Sequence, residues 1–103
     1  MEVVELIWEE IKKDPDGFES PVIHAVKAYA QEKSVTRSEK YQSMNAGVSV
    51  ETVFEVRQEG WEETRHTVNG KPEYARKIKA GEWKYDIIRA YKIGKSKIEV
   101  VCG

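Results

Sequence analysis

Alternation of apolar and polar residues is the feature that most constrains how this chain can fold. From Val48 to Glu59, every second residue from Val48 to Val56 is apolar or a threonine, and most residues between them are polar. A period of two is typical of a strand that buries one face and exposes the other. The sequence therefore predicts a half-buried strand here.

The same alternation returns near the end of the sequence. From Glu82 to Lys92 one face would carry Trp83, Tyr85, Ile87, Arg89 and Tyr91. Gly94-Lys95 then indicates a tight hairpin, and a last strand would turn Ile98, Val100 and Cys102 inward. Two antiparallel strands are expected in this part of the chain.

The first forty residues fit two interpretations. Asp14-Pro15-Asp16-Gly17 has strong turn chemistry, because Pro presets φ, Gly tolerates positive φ and Asp can bind its own backbone. Val4, Leu6 and Trp8 would then share a strand face, which favours a strand–turn–strand hairpin. The alternative is a helix over residues 3–12, with Val3, Ile7 and Ile11 along one stripe.

Two local signals lie in the middle of the chain. Thr36-Arg37-Ser38-Glu39 is a capping box, and Gly47 is a natural C-terminal stop, so a short helix is predicted over about residues 37–46. Asn69-Gly70 is the dipeptide of a type I′ turn. It sits in the polar stretch Glu62–Pro72, which is predicted to be an exposed, flexible loop with little part in the core.

Length and composition limit the fold class. One domain over residues 1–103 is expected from 103 residues with a net charge of −1 and ten aromatic residues. No stretch is apolar enough for a membrane span, and no signal peptide is expected from the first ten residues. A single cysteine fits a reducing compartment. We expect a mainly β protein: a small, partly open β-barrel or sandwich of about six strands with one short α-helix.

The sequence contains no pattern of catalytic or metal-binding residues. Its two histidines, His24 and His66, belong to no HExxH motif, and no CxxC or glycine-rich phosphate motif is present. His24 is interpreted as a packed or rim residue and Cys102 as a small core residue. We therefore expect no enzyme activity, no metal and no cofactor.

The charges are distributed unevenly along the chain. Residues 1–20 contain seven acids and two bases, whereas residues 71–97 contain nine bases and three acids. Two solvated faces, complementary sides of a ring subunit, or contact with nucleic acid would each explain this. Trp83, Tyr85 and Tyr91 beside Lys84 and Lys92 keep a small cytoplasmic nucleic-acid-binding β-barrel as the alternative, although burial would explain the aromatics and the pI near 6.1 is low for such a binder.

Three segments in order carry a resemblance to a known family. They are residues 30–43 (AQEKSVTRSEKYQS), Val50–Val56, and Tyr85–Tyr91 followed by Ile98-Glu99-Val100. Together they resemble the head-closure, or head-tail joining (connector), proteins of long-tailed bacteriophages and prophages. The chain departs from that family at Glu62–Pro72, which is longer than the usual link.

The resemblance implies a structural protein of the virion neck. It implies a ring of twelve copies below the portal and adaptor proteins, which closes the DNA-filled capsid and offers a surface to the tail proteins. DNA would pass through the ring without specific binding, and before assembly the protein would be in the bacterial host cytoplasm.

Residue roles follow from that resemblance. Lys33, Ser34, Thr36 and Glu39 would form the strand–helix junction. The long loop, with Arg65, Asn69, Gly70 and Lys71, would face the channel or a partner. Arg89 is a charge on an aromatic face, so it needs a partner, either Glu99 or an acid of the neighbouring subunit.

Overall fold

Strands dominate the part of the chain that this computed structural model describes, residues 2–33 and 50–103. In chain order the elements are β1 (Glu2–Lys13), β2 (Glu19–Lys33), β3 (Thr52–Arg57), α1 (Gln58–Glu62), β4 (His66–Val68), β5 (Lys71–Glu73), β6 (Lys77–Ala80), β7 (Trp83–Ile93) and β8 (Lys97–Cys102). Six strands close an antiparallel barrel in the order β1-β2-β3-β8-β7-β6, and β4 and β5 form a separate hairpin. The predicted small β-barrel is confirmed. The helix predicted over residues 37–46, with its cap, lies outside the described residues.

The β1–β2 hairpin forms as the turn chemistry predicts, so a helix over residues 3–12 is wrong. The Asp14 carboxylate accepts hydrogen bonds from the backbone N–H groups of Asp16 and Phe18, at 3.1 and 2.9 Å. Gly17 has a φ of 85°. The side chain of one aspartate and the freedom of one glycine thus reverse the chain between two long strands.

The inward-facing residues of the strands fill the barrel. Its buried interior contains Val4, Leu6, Ala28, Ala30, Phe54, Val56, Ile78, Ile98, Val100 and Cys102. These residues alternate along their strands with more exposed ones, as the period of two predicts. The expected inward positions of the last strand are confirmed.

The helix α1 covers one end of the barrel, here called the upper end, where the β1–β2 and β7–β8 turns also lie. The alternation predicted a strand as far as Glu59, but β3 ends at Arg57 and α1 begins at the next residue. Trp61 of α1 is buried and stacks on Tyr74, with the ring centres 5.4 Å apart. A Cβ on Gly60 would lie 2.6 Å from the Cβ of Ala28, so α1 rests directly on β2.

The stretch Glu62–Pro72 is less detached from the core than its composition predicts. Asn69 and Gly70 have φ values of 52° and 80° and join β4 to β5, as expected of a type I′ turn. Thr64, however, is fully buried. Its hydroxyl donates to the carbonyl oxygen of Trp61 at 2.7 Å and accepts from the N–H of Ala75 at 3.1 Å. The expectation that this stretch contributes little to the core is therefore wrong at Thr64.

A bulge in β7 changes which residues face outward. Ile87 pairs with Cys102 and Arg89 pairs with Val101, so Ile88 is an extra residue in the strand. One inserted residue moves every later side chain to the opposite face. Arg89 and Tyr91 therefore lie on the outer face, not on the inner face with Tyr85 and Ile87. Trp83, which pairs with the last residue of β6, is 71% exposed, so the predicted single aromatic face is wrong.

Candidate interaction surface

The outer half of the β1–β2 hairpin projects from the upper end of the barrel. β1 pairs with β6 only over Glu5–Ile7, and β2 pairs with β3 only over Ala30–Lys33. Residues 8–13 of β1 and residues 19–24 of β2 pair only with each other, and they form the projecting hairpin together with the turn between them. The described chain is accordingly 51 Å long but about 30 Å wide. This projecting hairpin exposes Ile11, Phe18 and Ile23, each by about 70%. Exposed apolar groups on a projecting element are typical of a surface that binds another protein.

A tryptophan held between two histidines fixes the base of the projecting hairpin. The Trp8 ring stacks on His24 at 5.1 Å and on His66 at 5.3 Å, measured between ring centres. His24 Nε2 donates to the Glu10 carboxylate at 2.9 Å, and His66 Nδ1 donates to the carbonyl oxygen of Thr64 at 2.8 Å. The stack therefore joins β1 and β2 to the start of β4 and sets the direction in which the hairpin leaves the barrel.

The sequence alone did not predict this stack, although the turn at Asp14–Phe18 predicts one of its two contacts. A hairpin that turns at Asp14–Phe18 places Trp8 directly opposite His24, and the structure has that register. His66 comes from a hairpin about forty residues further along the chain, so no local pattern could place it there.

Of the predicted junction residues, Lys33 lies in the described part of the chain, and Ser34, Thr36 and Glu39 lie outside it. Lys33 forms an ion pair with Glu55 on β3, and Lys97 on β8 approaches the same carboxylate at 3.7 Å. The hydrogen bond from Lys33 is the main cause of a lowered pKa for Glu55, and it also raises the pKa of Lys33. One carboxylate thus links three neighbouring strands across the outside of the barrel.

The predicted loop residues Arg65, Asn69, Gly70 and Lys71 are all exposed. Asn69 contributes to a cleft of about 530 Å³ between the projecting hairpin and the β4–β5 hairpin. Glu9, Glu10 and Glu73 also line this cleft, with Arg76 as its basic residue. Acids therefore outnumber bases among the charged side chains that a partner entering the cleft would meet.

Arg89 does not form the predicted ion pair with Glu99 within the described part of the chain. Arg89 is exposed and forms no ion pair with Glu99 or with any other residue in the described ranges. The interpretation of Arg89 as a buried charge is wrong, because the bulge at Ile88 turns it outward. Pairing with an acid of a neighbouring subunit stays a prediction.

The acidic and basic segments are not on opposite sides of the barrel. β1 lies beside β6, so Glu5 faces Lys79 across the ladder. Lys77 also approaches Asp86 on β7 at 3.7 Å. Part of the charge asymmetry is therefore compensated within the chain, and the excess remains on the projecting hairpin and on the upper part of β7.

Cys102 has none of the features of a nucleophile. It is fully buried, and burial raises the pKa of its thiol to about 12. Residues 2–33 and 50–103 bring together no three histidine, cysteine or acidic side chains that could hold a metal ion. No helix within those residues has the length and apolar character to cross a membrane.

Comparisons with protein-family models, with curated proteins and with solved structures find no match.

Proposed function

We propose that this protein is a structural subunit of a phage or prophage neck, which assembles into a ring at the head-tail connector. The ring would close the DNA-filled capsid and give the tail its attachment surface. Its partners would be further copies of itself, portal or adaptor proteins and tail proteins, in the virion neck after assembly and in the host cytoplasm before it.

The projecting hairpin carries this proposal. A small barrel that holds out Ile11, Phe18 and Ile23 has a surface suited to another protein. The stack of Trp8 between His24 and His66 orients that surface before any partner is bound. A preorganised surface loses less conformational entropy on binding. The three segments that resemble connector proteins give the same function class.

Complementation of a deletion tests the proposal. The gene for this chain is removed from the phage or prophage genome that encodes it, and purified protein is added to the resulting filled, tailless heads. We expect the added protein to form a ring at the neck, visible by electron microscopy, and to protect the packaged DNA from nuclease. Heads that retain DNA and bind tails equally well without the protein would contradict it.

Substitution of the hairpin tip makes the test specific. Phe18→Ser should abolish attachment to the heads, because Phe18 is 72% exposed at the tip and contributes nothing to the core. Val3→Ser is the matched control, since Val3 is also an exposed apolar residue of the hairpin strands but lies next to the barrel. Equal loss of attachment in both variants would contradict a role for the tip.

Nucleic-acid binding is the second candidate, and the exposure of Trp83 favours it. Trp83 pairs with Ala80, and Lys79 pairs with Lys84 on the next rung of the ladder, so positive charges lie near an exposed ring on which a base could stack. Tyr91, however, lies at the other end of β7 and on the opposite face, so the two rings do not form one stacking platform. Titration with single-stranded oligonucleotides would show a loss of affinity in Trp83→Ala that Phe18→Ser does not share.

A further inference from the structure

We propose that β1 of one copy pairs edge to edge with β7 of a second copy, at the upper end of the barrel above Lys77, where β6 begins. This inference rests on the proposed function and names the surfaces through which the ring would form.

Because β6 is short, β1 and β7 each have one unpaired edge at the upper end of the barrel. Arg76 is the last residue between them: its N–H donates to the carbonyl oxygen of Ile7 at 2.9 Å, and its carbonyl oxygen accepts from the N–H of Ile87 at 2.9 Å. Beyond Arg76 the chain leaves the barrel wall toward β5. β1 continues to Lys13 and β7 to Ile93, each paired on one side only.

Alternation identifies the backbone groups along these two edges. Ile7 points its carbonyl oxygen toward β6, so Glu9, Ile11 and Lys13 present their N–H and C=O groups on the same side. On β7, Asp86 exchanges both hydrogen bonds with Gly103 of the β8 side. The bulge then shifts the alternation by one residue, so Ala90 and Lys92 face the open edge. These groups lie beyond Arg76, where the pairing with β6 stops, and such an edge is a template for another strand.

Charge complementarity makes a second copy the occupant. Residues 8–19 of the projecting hairpin contain five acids and two bases, whereas residues 87–96 around the β7–β8 turn contain three bases and no acid. Arg89, which the bulge turns outward, would then reach the acids of the neighbouring copy. Complementary charges of this kind fix register and speed association.

The competing edge of the hairpin is protected. On β2 the odd-numbered residues direct their backbone N–H and C=O groups away from β1. Pro21 is one of them, and it has no N–H to donate. A proline on an outer edge is a common device against unwanted strand pairing. Further along β2, α1 lies on Ala28 and restricts approach. The open edge of β1 carries no proline, and a cleft of about 530 Å³ separates its Glu9 and Ile11 from the β4–β5 hairpin.

The direction of the strands agrees with a ring. β1 and β7 both run toward the upper end, because β6 lies antiparallel between them. Copies related by rotation about an axis along the barrel would therefore pair β1 with β7 in parallel. Such a contact uses two different surfaces of each copy, and a heterologous contact of this kind closes into a ring when the rotation allows it.

Disulfide trapping in the full-length protein tests the pairing. Ile11→Cys and Tyr91→Cys, whose side chains both lie on the outer face, are made in separate chains, mixed at increasing concentration and oxidised. Neighbouring strands lie about 4.7–4.9 Å apart, within the Cα separation of about 4.4–6.8 Å that a disulfide spans. We expect the mixed dimer to exceed both homodimers several-fold, and the double variant to give a ladder of oligomers. Cys102 stays in every variant, because it is buried.

Two controls decide the outcome. Ile23→Cys mixed with Tyr91→Cys probes the protected edge and should give little product. Ile11→Pro removes one edge N–H and should prevent ring formation on the complemented heads, whereas Ile23→Pro should not. Homodimers of Ile11→Cys at an equal rate, or equal trapping through Ile23→Cys, would overturn the inference.

A separate measurement, protection of the packaged DNA from nuclease in complemented heads, tests the proposed function. If Ile11→Pro protects the DNA as well as the wild type does, the interface lies elsewhere but the neck function is supported. Trapping without protection would support the pairing and contradict the neck function. No trapping even on complemented heads would overturn the pairing.

Discussion

Replacing Gly60 by alanine tests the packing of α1 on the barrel. The new Cβ would lie 2.6 Å from the Cβ of Ala28, about 1 Å short of an ordinary carbon contact of roughly 3.5–4.0 Å. Overpacking of this kind costs about 1–3 kcal/mol. Alanine is better than glycine inside a helix by about 1 kcal/mol, which offsets part of the cost. We expect a net loss of roughly 1 kcal/mol in the free energy of unfolding.

A double-mutant cycle separates the clash from helix propensity. Ala28→Gly removes the opposing methyl group, so it should destabilise the wild type but relieve Gly60→Ala, with a coupling energy of about 1–3 kcal/mol. Urea unfolding gives the four free energies, provided that the slope m stays constant. A matched change on the exposed side of α1, Glu59→Ala, should show no coupling to Ala28→Gly. If Gly60→Ala stabilises the protein by about 1 kcal/mol and shows no coupling, α1 does not rest on β2.

Three further outcomes are expected. Thr64→Val should lower the free energy of unfolding by about 1–3 kcal/mol, because the buried N–H of Ala75 loses its acceptor; a urea midpoint equal to that of the wild type would refute this. Glu55→Gln should flatten the acid side of the stability–pH profile, since a lowered folded pKa adds stability above the unfolded value of 4.5 that is lost as the pH falls through the folded pKa; an unchanged profile in pH-dependent urea titrations would contradict the ion pair. Cys102 should react with a thiol reagent only after unfolding, and fast labelling of the folded protein would count against its burial.

The parts of the fold that the sequence predicts are those controlled by local alternation and turn chemistry. The β1–β2 hairpin follows from Asp14 and Gly17, and the type I′ turn follows from Asn69-Gly70. The inner positions of β8 follow from a period of two. In each case the residues that decide the structure are close together in sequence.

The features that sequence reasoning missed depend on residues far apart or on a single insertion. The helix α1 has no side-chain cap, and burial of Trp61 against the barrel end holds it there. An extra residue such as Ile88 leaves no trace in an alternating pattern that continues on both sides of it. The alternation therefore places Arg89 and Tyr91 on the wrong face, and it does not predict which residues of β7 are exposed.

Closure of the barrel has a consequence for the rate at which the chain folds. The β1–β2 hairpin pairs residues close in sequence, whereas β1 meets β6 through Leu6 and Ile78, about seventy residues apart. Contacts between distant residues require an entropically costly loop closure and slow the search for the folded state. During synthesis the hairpin can form early, and β3 can pair with β2 soon afterwards, but β1 has no second neighbour until β6 has left the ribosome. The edge of β1 around Leu6 therefore stays open during this interval, and chaperones would have most access to the chain then.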